Sequence, residues 1–395
     1  MRSRFATSAT LTLTASTALV LSACGGGSLG GEDAAADGPV KIGLLVPQSG
    51  VYNDLGDDMK AGFEVYLEQN DNQLGGREVE VVLADEGETA DTGKAAADRL
   101  VKQEQVLAVT GVVSSAVLNG TVDLFETEGV PLVGSNASPT TLTDVEYIWR
   151  TSYVNDEPGN ALGSYVAENV DGPVYLLAAD YQAGQDEVAG FKESFEPAGG
   201  EIADEVYSPF PGTTNFQPFL SNLNSSGAEA VFTFYAGGAA VDFVQQYDQF
   251  GLKGQVEHYS AGFLTEGSVL DAQQEAAVGT FTAMNYSADL DNDVNAAFVE
   301  DYEAKTGELP TTYAMASYDA GQVLDAAIEA AGDELTSETL NDAIGDVGEI
   351  DSPRGPWSFN DNGTPVQQWY LREVQEVDGE IVNVVQQELG ILGDD

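Results

Sequence analysis

The chain has 395 residues, 43% of them hydrophobic, a length that favours two domains with enough apolar material for two cores. Its formal net charge is −52, from 66 Asp and Glu against 14 Lys and Arg, and this field repels phosphates, so nucleic acid is excluded as a partner. The acids are scattered, which indicates a solvated surface, and we hypothesise adaptation to a saline habitat where salt screens their repulsion.

Residues 1–23 have the organisation of a secretory signal peptide. Arg2 and Arg4 provide a basic start, and a mildly apolar stretch runs from Phe5 to Leu21. This stretch is too short and too rich in Thr and Ser for a stable transmembrane helix. Residues 24–38 are mostly Gly, Ala, Asp and Glu, and we expect a flexible tether there.

The segment Leu21-Ser22-Ala23-Cys24 resembles the bacterial lipobox. The resemblance implies that Cys24 is diacylated and becomes the new N-terminus, anchoring an extracytoplasmic protein to the cell membrane. Cys24 is the only cysteine, so an internal disulfide is impossible, and acylation accounts for the thiol. The alternative is an ordinary signal peptide followed by a chance cysteine.

Beyond the tether, apolar runs alternate with stretches of helical spacing. The predicted strands are 40–47, 79–84, 106–110 and 130–133, and the predicted helices are 55–69, 92–103 and 115–126. Alternation of this kind is typical of βαβ units with a parallel sheet, and the nearly continuous apolar runs indicate strands covered on both faces.

A second series repeats the pattern without obvious sequence identity. Its predicted helices are 160–168, 186–195, 216–224 and 240–250, and its predicted strands are 174–179, 230–235 and 256–260. The fold class is therefore α/β, with two doubly wound, Rossmann-like lobes. Because ligands bind beyond the carboxyl ends of such strands, two facing lobes predict a small-molecule cleft that closes by hinge motion.

The last quarter of the chain is different. It begins with predicted helices 294–305, 313–331 and 337–347. From Trp357 onward the residues alternate like strands around the turn Asp378-Gly379, which suggests an extra layer or a hinge crossing.

Several segments resemble, in order, the type I periplasmic solute-binding proteins, in particular the Leu/Ile/Val-binding protein family of ABC importers. The segments are Lys41 to Gly50, Gly111 to Ser115, Val130 to Val133 with Asn136-Ala137-Ser138, Trp149-Arg150-Thr151, Tyr181 to Gly184, and Asp351 to Pro356. The resemblance implies a three-crossing hinge near Asp156, Ser287 and Ser352. Lobe 1 would comprise 39–156 and 287–352, and lobe 2 would comprise 157–286 and 353–395.

The resemblance also assigns ligand-binding residues. Ser115, and Ser138 with the amide of Asn136, match family positions that bind the ligand carboxylate. From the residues alone, Ser115 could act only as a helix cap and Ser138 only as a turn residue. Further candidates beyond the predicted strands and at the crossing, each also suited to plain packing, are Tyr52, Leu55, Tyr153, Tyr181, Tyr235 and Tyr259.

One position departs from the family pattern. Amino-acid-binding members hold the ligand ammonium with a glutamate, and a gapless alignment places Gly262 there, with Glu266 nearby. An ammonium in a closed cleft is costly without an acidic partner. We therefore expect a small carboxylate or amide ligand without a free ammonium, aromatic ones included. Branched-chain or other hydrophobic amino acids are the alternative.

Enzymatic function is not indicated. His258 is the sole histidine, so neither a Ser-His-Asp triad nor a histidine metal cluster is easily assembled, and we predict no catalytic residue, metal or cofactor. The expected partners are a small-molecule solute and the permease subunits of an ABC importer, and the protein is expected to be a monomer. A ligand sensor for a membrane receptor is the second alternative.

Overall fold

The computed structural model describes residues 38–394 except residues 88 and 211. The predicted signal peptide, the lipobox with Cys24 and nearly all of the tether lie outside the described residues. Within the described part of the chain, no helix is long and apolar enough to cross a membrane.

Strands and helices alternate along most of the chain. The strands are β1 Val40–Val46, β2 Gln73–Leu74, β3 Arg77–Asp85, β4 Ala108–Gly111, β5 Leu132–Gly134, β6 Ile148–Arg150, β7 Val174–Asp180, β8 Ile202–Pro209, β9 Ala230–Phe234, β10 Glu257–Ala261, β11 Phe281–Met284, β12 Ser358–Phe359, β13 Pro365–Val377 and β14 Glu380–Leu392. The α-helices are α1 Asn53–Gln69, α2 Ala90–Arg99, α3 Ser115–Glu128, α4 Glu157–Asn169, α5 Gln182–Phe195, α6 Gln217–Ser226, α7 Gly237–Gln249, α8 Ser268–Gln273, α9 Asp293–Thr306, α10 Thr312–Ala331 and α11 Ser337–Gly345.

The first sheet has the strand order β2-β3-β1-β4-β5-β6, parallel except for the short β2–β3 pair. Neighbouring residues of β1 point to opposite faces, as a strand requires. Ile42 packs with Phe63 of α1 and Ala314 of α10, whereas Leu45 packs with α3 residues such as Val117. Helices therefore cover both faces of this sheet, which explains the continuous apolar runs of its strands.

The second sheet has the strand order β12-β13-β11-β10-β9-β7-β8, with β14 paired to β13. Strands β7 to β11 are parallel, and the long β13–β14 hairpin joins β11 in antiparallel register. The predicted strand pair around Asp378-Gly379 is present. It extends the edge of this sheet and forms no separate layer, because β13 continues the hydrogen-bonded ladder from β11.

Most differences from the predicted elements lie at poorly patterned strands. Strand β8 was not predicted, because it forms an edge of the second sheet and its residues are mostly half-buried or exposed. The three-residue strand β6 and the Thr-containing β11 are too short for periodicity to detect. Helix α2 continues as a π-turn, Leu100–Glu104, which covers the end of the predicted helix 92–103.

Candidate ligand-binding cleft

The carboxyl ends of the parallel strands in the two sheets face a common region. Tyr153, which follows β6, has its ring centroid 5.1 Å from that of Phe263, which follows β10. Phe263 also stacks on Tyr313 of α10 at 6.2 Å. Side chains carried by both sheets thus meet in one buried cluster, where a ligand of an open α/β sheet is expected.

The loop after β4 has an unusual backbone. Val112 has φ +69°, a left-handed conformation that is rare and strained for a β-branched residue. Two backbone bonds hold it there, since its amide donates to Leu45 O at 2.8 Å and its carbonyl accepts from Ala137 N at 2.9 Å. Such strain is concentrated at functional sites, and this loop leads directly into α3.

Helix α3 begins at Ser115, and its N-cap is Ser114, which makes no side-chain capping bond. The expected N-cap was Ser115, one residue later. The Ser115 hydroxyl accepts a long hydrogen bond, 3.4 Å, from Asn155 Nδ2. The N-cap residues of α5 and α7, Tyr181 and Ala236, likewise make no side-chain capping bond. The uncapped first turn of α3 offers amide donors and a favourable dipole to an anion.

Glu86, at the end of β3, is a site residue that the sequence analysis missed. Its two carboxyl oxygens accept from the amides of Val113 and Ser114, both at 2.8 Å. The side chain is fully buried, and this burial raises its pKa to about 7. Through these two bonds the Glu86 carboxyl group holds the strained loop after β4 in place. The only sequence signal was its position directly after a strand, within an acidic segment.

The loop after β5 carries Asn136 and Ser138. The Asn136 side chain donates to Val113 O at 2.9 Å and accepts from the Tyr153 hydroxyl at 3.1 Å, so it joins the first loop to the aromatic cluster. The Ser138 hydroxyl is fully buried and has no hydrogen-bond partner among the described residues. A buried hydroxyl without a partner is costly in a folded protein, and here it lies beside the expected carboxylate site.

The tyrosine candidates take different places. Tyr181 stacks on Phe210 at 4.4 Å, and the pKa of its hydroxyl is raised by burial and by the nearby hydroxyls of Tyr52 and Tyr153. Tyr52, Leu55, Tyr153 and Tyr181 belong to the same apolar cluster. Tyr235 packs between Phe216, just before α6, and Phe243 of α7, its hydroxyl bonds to Ser208 at 3.1 Å, and it lines a pocket together with Tyr52. Tyr259 bonds to Glu257 on its own strand.

Gly262 lies against a buried arginine. A Cβ atom at Gly262 would lie 2.6 Å from Arg372 Nη2 and 2.8 Å from Met284 Cβ, so no side chain fits while Arg372 is in place. Arg372 Nη2 is 2.6 Å from Glu266 Oε1, and Glu266 Oε2 accepts from the amide of Thr312 at 3.0 Å. The acid nearest to Gly262 in the sequence is thus already bound by protein groups.

The fold consists of two doubly wound sheets, with polar loops after β4 and β5 and an aromatic cluster beside them. These features are typical of two-lobed solute-binding proteins. Residues 39–380 match the family model described as periplasmic binding protein, and the chain belongs to this family. It is similar to the Leu/Ile/Val-binding protein homolog 6 of Brucella melitensis, with 31% identity over 89% of this chain and 91% of the relative.

Two solved structures are similar over almost their whole length. One is an ABC-transporter solute-binding protein from R. palustris in complex with benzoate, with 32% identity, a TM-score of 0.83, and 91% of this chain and 98% of that chain covered. The other, from Rhodopseudomonas palustris BisB5, is in complex with 3,4-dihydroxybenzoic acid, with 29% identity, a TM-score of 0.84, and 89% and 97% covered. The protein is therefore an extracytoplasmic solute-binding protein and not an enzyme.

Proposed function

We propose that this protein captures a small carboxylate that lacks a free ammonium, with an aromatic acid of the benzoate type as the leading candidate. The buried, unpartnered hydroxyl of Ser138 carries the proposal. It supplies a donor beside the uncapped N-terminus of α3, where Ser115 supplies another. Hydrogen-bond donors and a helix dipole suit a carboxylate, and the aromatic residues around Tyr153 and Phe263 suit a flat ring.

Two further observations support a ligand without an ammonium. Glu266, the acid near the position that amino-acid binders use, is occupied by Arg372 and by the Thr312 amide. The two similar solved structures described above hold benzoate and 3,4-dihydroxybenzoic acid. Leucine, isoleucine and valine are the alternative ligands, because the Brucella relative is named a Leu/Ile/Val-binding protein homolog.

The proposed lobe boundaries are 39–156 with 287–352, and 157–286 with 353–395. Two hydrogen bonds join residues that these boundaries assign to different lobes. Asp186 of α5 accepts from the Thr140 hydroxyl at 2.9 Å, and Ser268 of α8 donates to Asp54 of α1 at 2.9 Å. We propose that these bonds stabilise the closed state of the two lobes, and that the ligand favours this state by binding it more tightly than the open one.

The membrane attachment is also a proposal. Cleavage before Cys24 and acylation of its sulfur would leave a monomeric binding protein on a flexible tether, next to the permease subunits. A Cys24→Ser variant is expected to leave the membrane fraction and appear in the soluble extracytoplasmic fraction. Membrane retention of this variant would contradict the lipid anchor but would leave the ligand proposal untouched.

The ligand proposal is tested by thermal-shift measurements in high salt on residues 38–395, which lack the predicted signal peptide and nearly all of the tether. The panel holds benzoate and hydroxybenzoates, short fatty acids, amides, and branched-chain and aromatic amino acids. A ligand that binds only the folded state raises the melting temperature with its concentration. We expect ammonium-free carboxylates to give the largest shifts. The largest shift from leucine, isoleucine or valine would contradict the proposal.

A further inference from the structure

Glu266 is held by two groups on opposite sides of the cleft. Its Oε1 lies 2.6 Å from Nη2 of Arg372, on β13 of the second sheet. Its Oε2 accepts from the amide of Thr312, the first residue of α10, which packs against the first sheet. The side chain is only 5% exposed. Its Oε2 is therefore hydrogen-bonded, whereas its Oε1 is paired with Arg372 by charge and makes no hydrogen bond among the described residues.

Arg372 is buried and fixed by its own contacts. Nη1 donates to Tyr286 O at 2.9 Å, Nε to Thr282 Oγ1 at 3.3 Å, and Nη2 to Gly262 O at 3.4 Å. A buried guanidinium with this many partners does not leave its carboxylate readily. Its contact with the Gly262 backbone also blocks the position where the family pattern places an acid.

Glu266 lies close to the aromatic cluster. Its carboxyl group bonds to the amide of Thr312, the residue before Tyr313, and burial together with the Glu266 charge raises the pKa of the Tyr313 hydroxyl. Tyr313 stacks on Phe263, and Phe263 contacts Tyr153. An ammonium on a ligand in this cluster would thus be within electrostatic reach of the ion pair.

We propose that the Arg372–Glu266 ion pair determines specificity by excluding ligands that carry an α-ammonium. This proposal rests on the proposed function. Glu266 cannot neutralise a ligand ammonium while it neutralises Arg372, and burying an unpaired ammonium is costly. The positive charge of the Arg372 guanidinium also repels a ligand ammonium, whereas it does not repel a ligand carboxylate. Specificity of this kind is a difference between two affinities, so it is measured with matched ligands.

Two ligand pairs differ only by the ammonium: phenylacetate with L-phenylglycine, and 4-methylpentanoate with L-leucine. We define the discrimination ratio as the Kd of the amino acid divided by the Kd of its ammonium-free partner, both measured by calorimetry. In Arg372→Met, Glu266 loses its cation, and the ratio is expected to fall at least tenfold for both pairs. In the double variant Arg372→Met/Glu266→Gln, which has no free acid, no such fall is expected.

Glu266→Gln keeps the proposal testable if Arg372→Met does not fold. It removes the acid but retains the arginine charge, so the discrimination ratio is expected to rise severalfold. An unchanged ratio in this variant, or an equal fall in the single and double Arg372 variants, would overturn the role of the ion pair. A wild-type protein that prefers the amino acid of each pair would instead contradict the proposed function itself.

Discussion

At the scale of residues, two buried serines three positions apart have opposite environments. The Ser135 hydroxyl bonds to that of Ser317 at 2.8 Å, whereas the Ser138 hydroxyl has no partner among the described residues. Both side chains are about fully buried. The Ser135 hydroxyl thus contributes to the fold, and we propose that the Ser138 hydroxyl binds the ligand.

Ser138→Ala should therefore weaken binding without weakening the protein. We expect the Kd for benzoate to rise about tenfold, because a hydrogen bond to a charged group is worth about 1.5–3 kcal/mol. The melting temperature without ligand should stay within about 2 °C or rise. The measurement is calorimetry of benzoate binding together with a ligand-free thermal scan.

Ser135→Ala is the matched control. It should lower the melting temperature, since it leaves the Ser317 hydroxyl buried without its partner, and should change benzoate affinity less than Ser138→Ala does. Equal effects of the two substitutions on binding would contradict the assignment of Ser138 to the ligand.

Some site residues were predictable from the sequence and others were not. Ser115, Asn136 and Ser138 were predicted because they follow recognisable strands in a family-like order, and their role in binding stays a prediction. Glu86 and Arg372 were not found, because each acts across the fold. Glu86 bonds to an amide 27 residues away, and Arg372 bonds to a carbonyl 110 residues away. Contacts between residues so far apart in the sequence leave no local pattern from which they could be predicted.

At the scale of elements, α1 and α10 pack closely through a glycine. A Cβ atom on Gly62 would lie 2.0 Å from the carbonyl oxygen of Ala314, so the two helices approach at a distance that only glycine permits. Gly62→Ala is expected to destabilise the protein by about 1–3 kcal/mol, because the helices must separate. Chemical denaturation of the ligand-free protein measures this change.

Gly120 of α3 is a matched control, because it also lies within a helix but has room for a side chain. A Cβ atom there would meet Ala90 Cβ at 3.4 Å, which is ordinary van der Waals contact. Gly120→Ala should stabilise the protein by about 0.5–1 kcal/mol through helix propensity. The interpretation of the α1–α10 contact is wrong if the two substitutions change stability in the same direction.

Strands that are buried along most of their length were predicted from the sequence, whereas the partly exposed edge strand β8 was not. Strands such as β1 and β9, buried along nearly their whole length, appeared in the sequence as apolar runs. Strand β8 has mixed exposure at a sheet edge, and its sequence resembles a loop. Edge strands gain their conformation from hydrogen bonds to a neighbour, which a single sequence does not reveal.

At the scale of the whole molecule, buried acids set the pH dependence of stability. Burial raises the pKa of Asp58 and Glu86 to about 7 and that of Glu157 to about 8, whereas burial lowers the pKa of His258 to about 3. A raised carboxyl pKa means that the folded state retains protons which the unfolded state has released, so stability falls as pH rises towards these values.

Between pH 6.5 and 8 the three carboxyl groups dominate, since the opposing effect of His258, whose ordinary pKa is 6.5, fades over this interval. We expect the free energy of unfolding to decrease over this interval in denaturation experiments at constant high salt. Glu157→Gln should make the decrease smaller. Constant or rising stability from pH 6.5 to 8 would contradict the assigned burial of these acids.

The net charge of −52 predicts a separate dependence on salt. Because ions screen repulsion among surface carboxylates, the melting temperature should rise from low to molar sodium chloride. Thermal scans along a salt series measure this directly. An unchanged melting temperature would contradict the hypothesis of adaptation to a saline habitat.

The most direct test of the central claim is a crystal structure of the protein with the best ammonium-free carboxylate from the thermal-shift panel. We predict that the ligand carboxylate lies within hydrogen-bond distance of the Ser138 and Ser115 hydroxyls, with the rest of the ligand among Tyr153, Phe263 and Tyr313. The Arg372–Glu266 pair should be intact behind it. A ligand bound elsewhere, or one whose contacts omit both serines, would contradict the account.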